Sequence, residues 1–302
     1  MATRFEIALH GANPVALRAA GEEALDEIDR LEAQLSLYRA GSELARLNRE
    51  AHERPVRVTP GLFRLLARAL ELSRATGGAF DITVAPLVRC WGFMGGPENG
   101  AVPEPAALEE ARAKVGGQHV ELDADKLTVR FTRAGVMLDL GAIGKGHAVD
   151  RAAAVLRAAG VGSALIHGGT STSFALGRQP DDAPWKVAII SPNQDSSAPP
   201  LAVVELENES LSVSAVWGRS FRVGEKTYGH IIDPRTGAPA EGARLAAVAL
   251  PGATETDALS TALLLAPELM EDLVGQHPGL RALVVSGSEA EPQIVAHGMR
   301  RL

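Results

Sequence analysis

The sequence predicts an α+β protein built mainly of antiparallel sheets with packed helices. Three observations lead there. Apolar residues recur at helical spacing in a few separate blocks, runs of period two dominate from His119 onward, and the links between those runs are short. Short links favour hairpins, since a parallel crossover needs a dozen or more residues. At 302 residues the chain fits about two ordinary domains, or one large domain with a divided core. No inter-domain linker and no sequence repeat is visible.

The elements follow in order. Asn13-Pro14 is a cap followed by proline at a first helical position, and Leu17, Ala24, Leu25, Ile28, Leu31 and Leu35 continue that helix. A second begins at Thr59-Pro60, runs through Leu62, Leu65, Leu66, Ala69 and Leu72, and ends at Gly77-Gly78. A third covers Ala106 to Val115. HVELD, LTVRF and GVMLDL, between residues 119 and 140, read as strands with turns such as Asp123-Ala124-Asp125. After Gly146 the run HAVDRAAAVLRAAG is helical, with Gly160 as its stop. SALIH, SFALG, WKVAII, LAVVEL, SLSVSA, SFRV and TYGHIID are the next strands. The Asp181-Asp182 loop and the loop from Gln194 to Pro200 are surface insertions. A helix from about Thr256 to Val274 and the strands ALVVS and QIVAH close the chain.

Composition excludes several functions. Hydrophobic residues make up 46% and charged residues 22%, ordinary globular usage, while 4% aromatics leave the core to Leu, Val, Ile and Ala. A net charge of −7 gives no basic footprint, so no nucleic acid partner is expected. The single cysteine, Cys90, rules out an internal disulfide or a cysteine-rich zinc site. No apolar stretch reaches the roughly 18 residues of a membrane span; Ala258–Pro267 is the longest candidate. The opening MATRFEIALHG lacks a basic n-region and an apolar h-region, so a cytoplasmic location is expected. HExxH, P-loop and GxGxxG patterns are missing, and a GxSxG elbow at Gly169 fails because Ser173 replaces its second glycine.

Three segments remain. In Leu138 to Asp150 (LDLGAIGKGHAVD) a strand enters a glycine turn and then a helix, whose free N–H groups attract phosphate. Lys145 would add positive charge for a diphosphate, and Asp139 would accept from a ligand or fix the turn. The alternative is a plain strand-to-helix link. In His230 to Gly237 (HIIDPRTG) Asp233-Pro234 and Gly237 make a turn, and on a strand Tyr228, His230 and Ile232 would share one face. His230 suits proton transfer near neutrality, or is simply a half-buried strand histidine. In Thr254 to Thr261 (TETDALST) Asp257 and Thr261 lie four apart on one helical face. They are hard oxygen donors suited to Mg²⁺, or else a dipole-favoured acid and a threonine bonded back to a carbonyl.

Read together, these segments resemble the FAD:protein FMN transferase family, also called the ApbE or thiamine-biosynthesis-lipoprotein family. The resemblance spans nearly the whole chain: Met1-Ala2-Thr3, Ser36-Leu37-Tyr38, Ser42-Glu43-Leu44, Asn48, TGGAFDITVAPLV from Thr76, Trp91-Gly92-Phe93, LDLGAIGKG, Ser212-Val213-Ser214, GHIIDPRTG and DALST. It implies one domain over 1–302, a duplicated T-fold-like, ApbE-like architecture of two intertwined α+β halves with FAD between them. It also implies a transferase that uses Mg²⁺ to cleave the FAD diphosphate, joins FMN to a threonine of an acceptor protein and releases AMP. FAD pyrophosphatase activity and non-catalytic FAD binding are the alternatives. By motif position the metal donors are the Ala142 carbonyl, Asp257 and Thr261. The FAD contacts are Tyr38, Gly78, Ala79, Phe80, Asp139, Lys145, His230 and Ile231. His230 and Asp257 are the catalytic residues, His230 as general base, while Arg235 is read as a structural salt-bridge partner. Two departures stand out: His167-Gly168-Gly169-Thr170 replaces an Asn-x-Gly-Gly-Asp/Glu run, and Ser214-Ala215 replaces Ser-Gly. Gly252-Ala253-Thr254 faintly echoes a flavin acceptor, but it lacks the preceding acid, so self-modification is not expected.

Overall fold

The computed structural model describes residues 3–94, 100–190, 199–288 and 291–300. Its helices are α1 (Pro14–Leu35), α2 (Glu43–Glu50), α3 (Pro60–Ala75), α4 (Ala85–Cys90), α5 (Pro105–Arg112), α6 (Gly144–Ala158), α7 (Ala253–Leu265) and α8 (Met270–Gln276). Its strands are β1 (Phe5–His10), β2 (Val56–Arg57), β3 (Val120–Asp123), β4 (Thr128–Phe131), β5 (Ser163–Gly168), β6 (Thr172–Leu176), β7 (Trp185–Ile189), β8 (Ala202–Leu206), β9 (Glu209–Ala215), β10 (Ser220–Val223), β11 (Lys226–Gly229), β12 (Ala243–Leu250), β13 (Arg281–Gly287) and β14 (Pro292–His297). Every strand pairing among the described residues is antiparallel, as the short links predict. Met1, Ala2 and residues 194–198 of the predicted insertion lie outside the described residues. Among the described residues no helix is long and apolar enough to cross a membrane. The chain divides into two compact units, Met1–Glu32 with Ile143–Ala215 and Ala243–Leu302, and Ala33–Ala142 with Val216–Gly242.

The first unit carries a seven-stranded sheet in the order β1-β5-β6-β9-β12-β13-β14, beside a β7–β8 hairpin. α7 packs on β9 and β12, and α6 packs on β5, β6 and α7. α7 is buried over nearly its whole length, which its leucines and alanines allow on every side. Each fully buried leucine there stabilises by about 1.5–3 kcal/mol. Asn13 Oδ1 accepts from Val15 N and Ala16 N at 3.2 and 3.1 Å, the cap predicted for α1. Gly160 ends α6 at φ +77°, again as predicted. The single helix expected over 256–274 is instead α7, a 3₁₀ turn at Pro267–Leu269 and α8. Pro267 has no N–H to continue α7, and the chain turns out at Ala266. α7 also begins earlier than expected, because its cap is supplied from elsewhere in the chain. β1 is a strand that sequence reasoning missed, although Phe5, Ile7 and Leu9 alternate with Glu6, Ala8 and His10 at period two; it is an edge strand.

The second unit holds a three-stranded sheet, β2-β4-β3, and the β10–β11 hairpin. Thr59 caps α3 through Leu62 N, with Pro60 at the first turn. The strand expected at GVMLDL is not one. Asn48 takes the place of a neighbouring strand: its Nδ2 donates to Leu138 O at 2.9 Å and its Oδ1 accepts from Leu138 N at 2.8 Å. Asp139 N then donates to Ile82 O at 2.7 Å. The strand expected over TYGHIID stops at Gly229, and beyond it only an isolated bridge joins Ile232 to Pro239. Leu87, Trp91, Phe93, Ala111 and Ile232 form an apolar cluster on which Phe221 and Tyr228 pack, so the β10–β11 hairpin is fastened by its aromatic residues.

Candidate functional site

In the first unit the site centres on Asp257, in the second turn of α7 and 3% exposed. Its Oδ2 accepts from Gly146 N at 3.0 Å, at the start of α6. Its Oδ1 accepts from Lys145 Nζ at 3.1 Å and from Thr172 Oγ1 at 3.4 Å. The carboxylate therefore serves the N-terminus of α6 and not that of its own helix. The exchange is mutual. Asp150 on α6 accepts from Ala253 N at 2.7 Å, Thr254 N at 2.8 Å and Thr254 Oγ1 at 2.5 Å, which caps α7. Burial pushes the Asp150 carboxyl above its usual range, and these three donors oppose the shift. Thr254, the threonine that faintly echoes an acceptor, is buried and committed to this cap.

Gly146 makes the close approach possible. A Cβ there would overlap the Ala253 carbonyl and come within 2.9 Å of Asp257 Cβ. Thr261 Oγ1 donates to Asp257 O at 3.3 Å, the expected back-bond, and meets Ser214 Oγ at 3.1 Å. A hydroxyl whose proton goes to a carbonyl keeps its lone pairs for accepting, here one for Ser214 and one more.

In the second unit the predicted residues sit on three turns and one loop. Gly77 and Gly78 lie at φ +57° and +80°, conformations that a side chain rarely adopts. Ala79 and Phe80 are buried at 0% and 2% exposure, so any contact with a ligand must use their main chain. Gly78 lines a cavity of about 410 Å³ with Arg74, Asp81, Gly116 and Pro234. Asp81 is fully engaged, accepting from Thr83 N, Thr83 Oγ1, Ser73 Oγ and Gly117 N at 2.6–3.1 Å, so it fixes this turn. Asp139 Oδ1 accepts from Gly141 N at 2.8 Å, the turn-fixing role foreseen for it. Ala142 follows, half-buried, just before α6. Tyr38 is 72% exposed.

His230 stands just past β11. Its backbone N–H donates to Arg219 O at 3.0 Å, and its Nδ1 lies 3.1 Å from the same oxygen. A carbonyl only accepts, so Nδ1 carries the proton and Nε2 keeps its lone pair. Burial pushes the imidazole pKa down and the Arg219 charge adds to this, partly offset by the hydrogen bond to the Arg219 carbonyl. Phe93 meets the ring edge-on with centroids 6.4 Å apart. Ile231 O accepts from Ala240 N at 2.8 Å. The following turn is fixed twice over. Arg235 clasps Asp233 through Nε and a terminal nitrogen at 2.8–3.2 Å, the structural pairing foreseen, and Trp91 Nε1 donates to Gly237 O at 2.7 Å.

Asp257 and Thr261 fit a hard divalent cation by donor chemistry: a buried carboxylate and a hydroxyl whose proton is committed to a carbonyl, leaving its oxygen an acceptor. No three His, Cys, Asp or Glu side chains come together among the described residues, and a set with one carboxylate requires no such group. Sequence reasoning missed Thr172, Asp150 and Arg219. The alternation of Ser210, Ser212 and Ser214 on β9 was the available sign of a hydroxyl-lined face, while nothing local marks Arg219.

The model of the ApbE family matches residues 1–284. The FAD:protein FMN transferase of Treponema pallidum (strain Nichols) is 35% identical over 299 residues, covering 94% of this chain and 82% of its own. The protein of the same name from Klebsiella pneumoniae (strain 342) is 31% identical, covering 91% and 79%. Among solved structures, the ApbE protein of Thermotoga maritima MSB8 superposes with a TM-score of 0.87 at 28% identity, over 98% of this chain and 94% of its own. The flavin transferase ApbE of Vibrio cholerae superposes at 0.83 and 26% identity, over 99% and 94%. With a family match along most of its length and relatives above 30% identity, this chain belongs to the ApbE family.

Proposed function

We propose that this chain moves FMN from FAD to a threonine hydroxyl of an acceptor protein, with Mg²⁺, and releases AMP. In this reading the threonine oxygen attacks the FMN-side phosphorus, the bridging P–O bond breaks towards AMP, and His230 Nε2 takes the hydroxyl proton. The observation that carries the reading is the state of His230: its Nδ1 proton is committed to Arg219 O, and its pKa is lowered, so it is a neutral base at neutral pH. Proton removal by such a base is typically worth about 10²–10⁴ in rate. The names of the relatives support the coarser part of this reading, FMN transfer from FAD to a protein.

The Ala142 carbonyl, Asp257 and Thr261 would hold the cation. A bound divalent ion offsets the charge that builds on phosphoryl oxygens as a diphosphate breaks. Lys145 adds a point charge to the diphosphate, and the main chain at Gly78–Phe80 and Ile231, with Tyr38 and Asp139, orients FAD. The test is incubation with FAD, Mg²⁺ and threonine-bearing acceptors. Flavin fluorescence that survives a denaturing gel, with one AMP per flavin attached, is the expected result. AMP with free FMN would replace transfer by hydrolysis, and the absence of both products would reduce the chain to a flavin binder.

A further inference from the structure

Behind Asp257 stands a file of buried hydroxyls. Thr172 Oγ1 lies 3.4 Å from Asp257 Oδ1, Ser212 Oγ 3.3 Å from Thr172 Oγ1, Thr256 Oγ1 2.8 Å from Ser212 Oγ, and Ser210 Oγ 3.0 Å from Thr256 Oγ1. None of these four residues is more than 2% exposed. Each hydroxyl has one proton, so directions follow by elimination. The carboxylate accepts, so Thr172 donates to it. With that proton spent, Ser212 touches Thr172 only as a donor. Two carbonyls, Ala253 O at 3.1 Å and Ser173 O at 2.8 Å, compete for the protons of Thr256 and Ser210 at the far end. The Thr172 proton, nearest the carboxylate, goes to Asp257 Oδ1.

The two carboxylate oxygens are held differently. Oδ2 rests on a backbone N–H of α6, a rigid donor at 3.0 Å, with Lys145 Nζ farther off at 3.5 Å. Oδ1 has Lys145, a long side chain, and Thr172, whose β-branched side chain sits inside a five-residue strand that is buried throughout. An Asp carboxylate turns easily about its last torsion, so the two fixed partners, Gly146 N–H on Oδ2 and Thr172 Oγ1 on Oδ1, set its plane together.

We propose that Thr172, backed by Ser212, is a positioning residue that sets the Asp257 carboxylate for a divalent cation. The inference rests on the reading of Asp257 as a metal ligand. Groups that orient metal ligands typically matter about 10- to 100-fold in affinity, and one long hydroxyl bond belongs at the low end.

The experiment is Mn²⁺ binding to the full-length, FAD-free protein, followed by electron paramagnetic resonance, with thermal unfolding alongside. Thr172→Val should weaken Mn²⁺ binding about 10-fold, and Thr172→Ser should return it to within about 2-fold of the parent. Rescue by serine separates positioning from packing, since serine restores the oxygen and not the methyl. If Thr172→Val does not fold, Ser212→Ala, one link further back, should weaken binding about 3-fold with its fold intact. Asp257→Asn is the control and should abolish binding. Unchanged affinity in Thr172→Val, with binding lost in Asp257→Asn, overturns the role of Thr172 and leaves the metal reading standing. Undiminished binding in Asp257→Asn overturns both.

Discussion

Gly146→Ala tests the contact on which the first unit's site is built. In a helix, glycine to alanine normally stabilises by about 0.5–1 kcal/mol, because glycine loses more backbone freedom on folding. At Gly146 a Cβ would sit inside the Ala253 carbonyl and 2.9 Å from Asp257 Cβ. Backbone cannot swing aside as a side chain can, so α6 and α7 must part. Overpacking of this kind costs about 1–3 kcal/mol, and a rigid neighbour puts it at the upper end. After the propensity gain, the net loss is about 2 kcal/mol. Two other glycines calibrate the argument. Gly275 in α8 has nothing within 4 Å of its added Cβ, so Gly275→Ala should gain up to about 0.5 kcal/mol so near a helix end. Gly21 in α1 would place its Cβ 3.0 Å from Leu9 Cδ1, the end of a flexible chain, so Gly21→Ala should be near neutral. Urea unfolding of the three variants, compared at equal m-values, should rank them Gly275, Gly21, Gly146. A Gly146→Ala protein as stable as its parent would refute the close approach.

The transfer rate should rise with pH through a midpoint below the ordinary histidine value of 6.5 and be level by neutrality, because burial lowers the His230 pKa and the base works when neutral; a pH–rate profile centred at or above that value contradicts this. His230→Gln should cut transfer by about 10²–10⁴ while FAD binding, read by fluorescence titration, persists. Trp91→Phe keeps one aromatic ring but removes the pyrrole half of a buried indole and leaves Gly237 O without its donor; the lost donor alone should cost about 1–3 kcal/mol in denaturant unfolding. Lys145→Met leaves a buried carboxylate without its ammonium and should lower stability by about 3 kcal/mol, most of it restored by added Mg²⁺ in a thermal shift; equal losses with and without Mg²⁺ would separate Lys145 from the cation site.

The helices α1, α3 and α6 were legible in the sequence because their signals are local: Asn13, Thr59-Pro60 and Gly160 each act within a turn of the residue they serve. The antiparallel class was legible for the same reason, in short links and period-two runs. Elsewhere a distant residue overrides the local pattern. GVMLDL has the alternation of a strand, yet its partner is the amide of Asn48, ninety positions away. The start of α7 depends on Asp150, which no window around Ala253 contains. Asp257 and Thr261 were recognisable as oxygen donors on one helical face. That Asp257 also closes the first turn of α6 was not, since a one-dimensional pattern names a carboxylate without saying which N–H groups it reaches.

The crossed caps also constrain how the polypeptide reaches its final form. Asp150 and Ala253 are separated by 103 positions, and Gly146 and Asp257 by 111, so neither bond exists until a loop of that size has closed. Lengthening such a loop adds little entropy, but closing it at all delays the event relative to helix formation within each segment. During synthesis a nascent chain that has not yet exposed residue 257 carries α6 with an open first turn, and one in which residue 150 is altered carries α7 likewise. Both caps join the same two helices, so the contact that closes one brings the other within reach and carries Lys145, at the start of α6, to the Asp257 carboxylate.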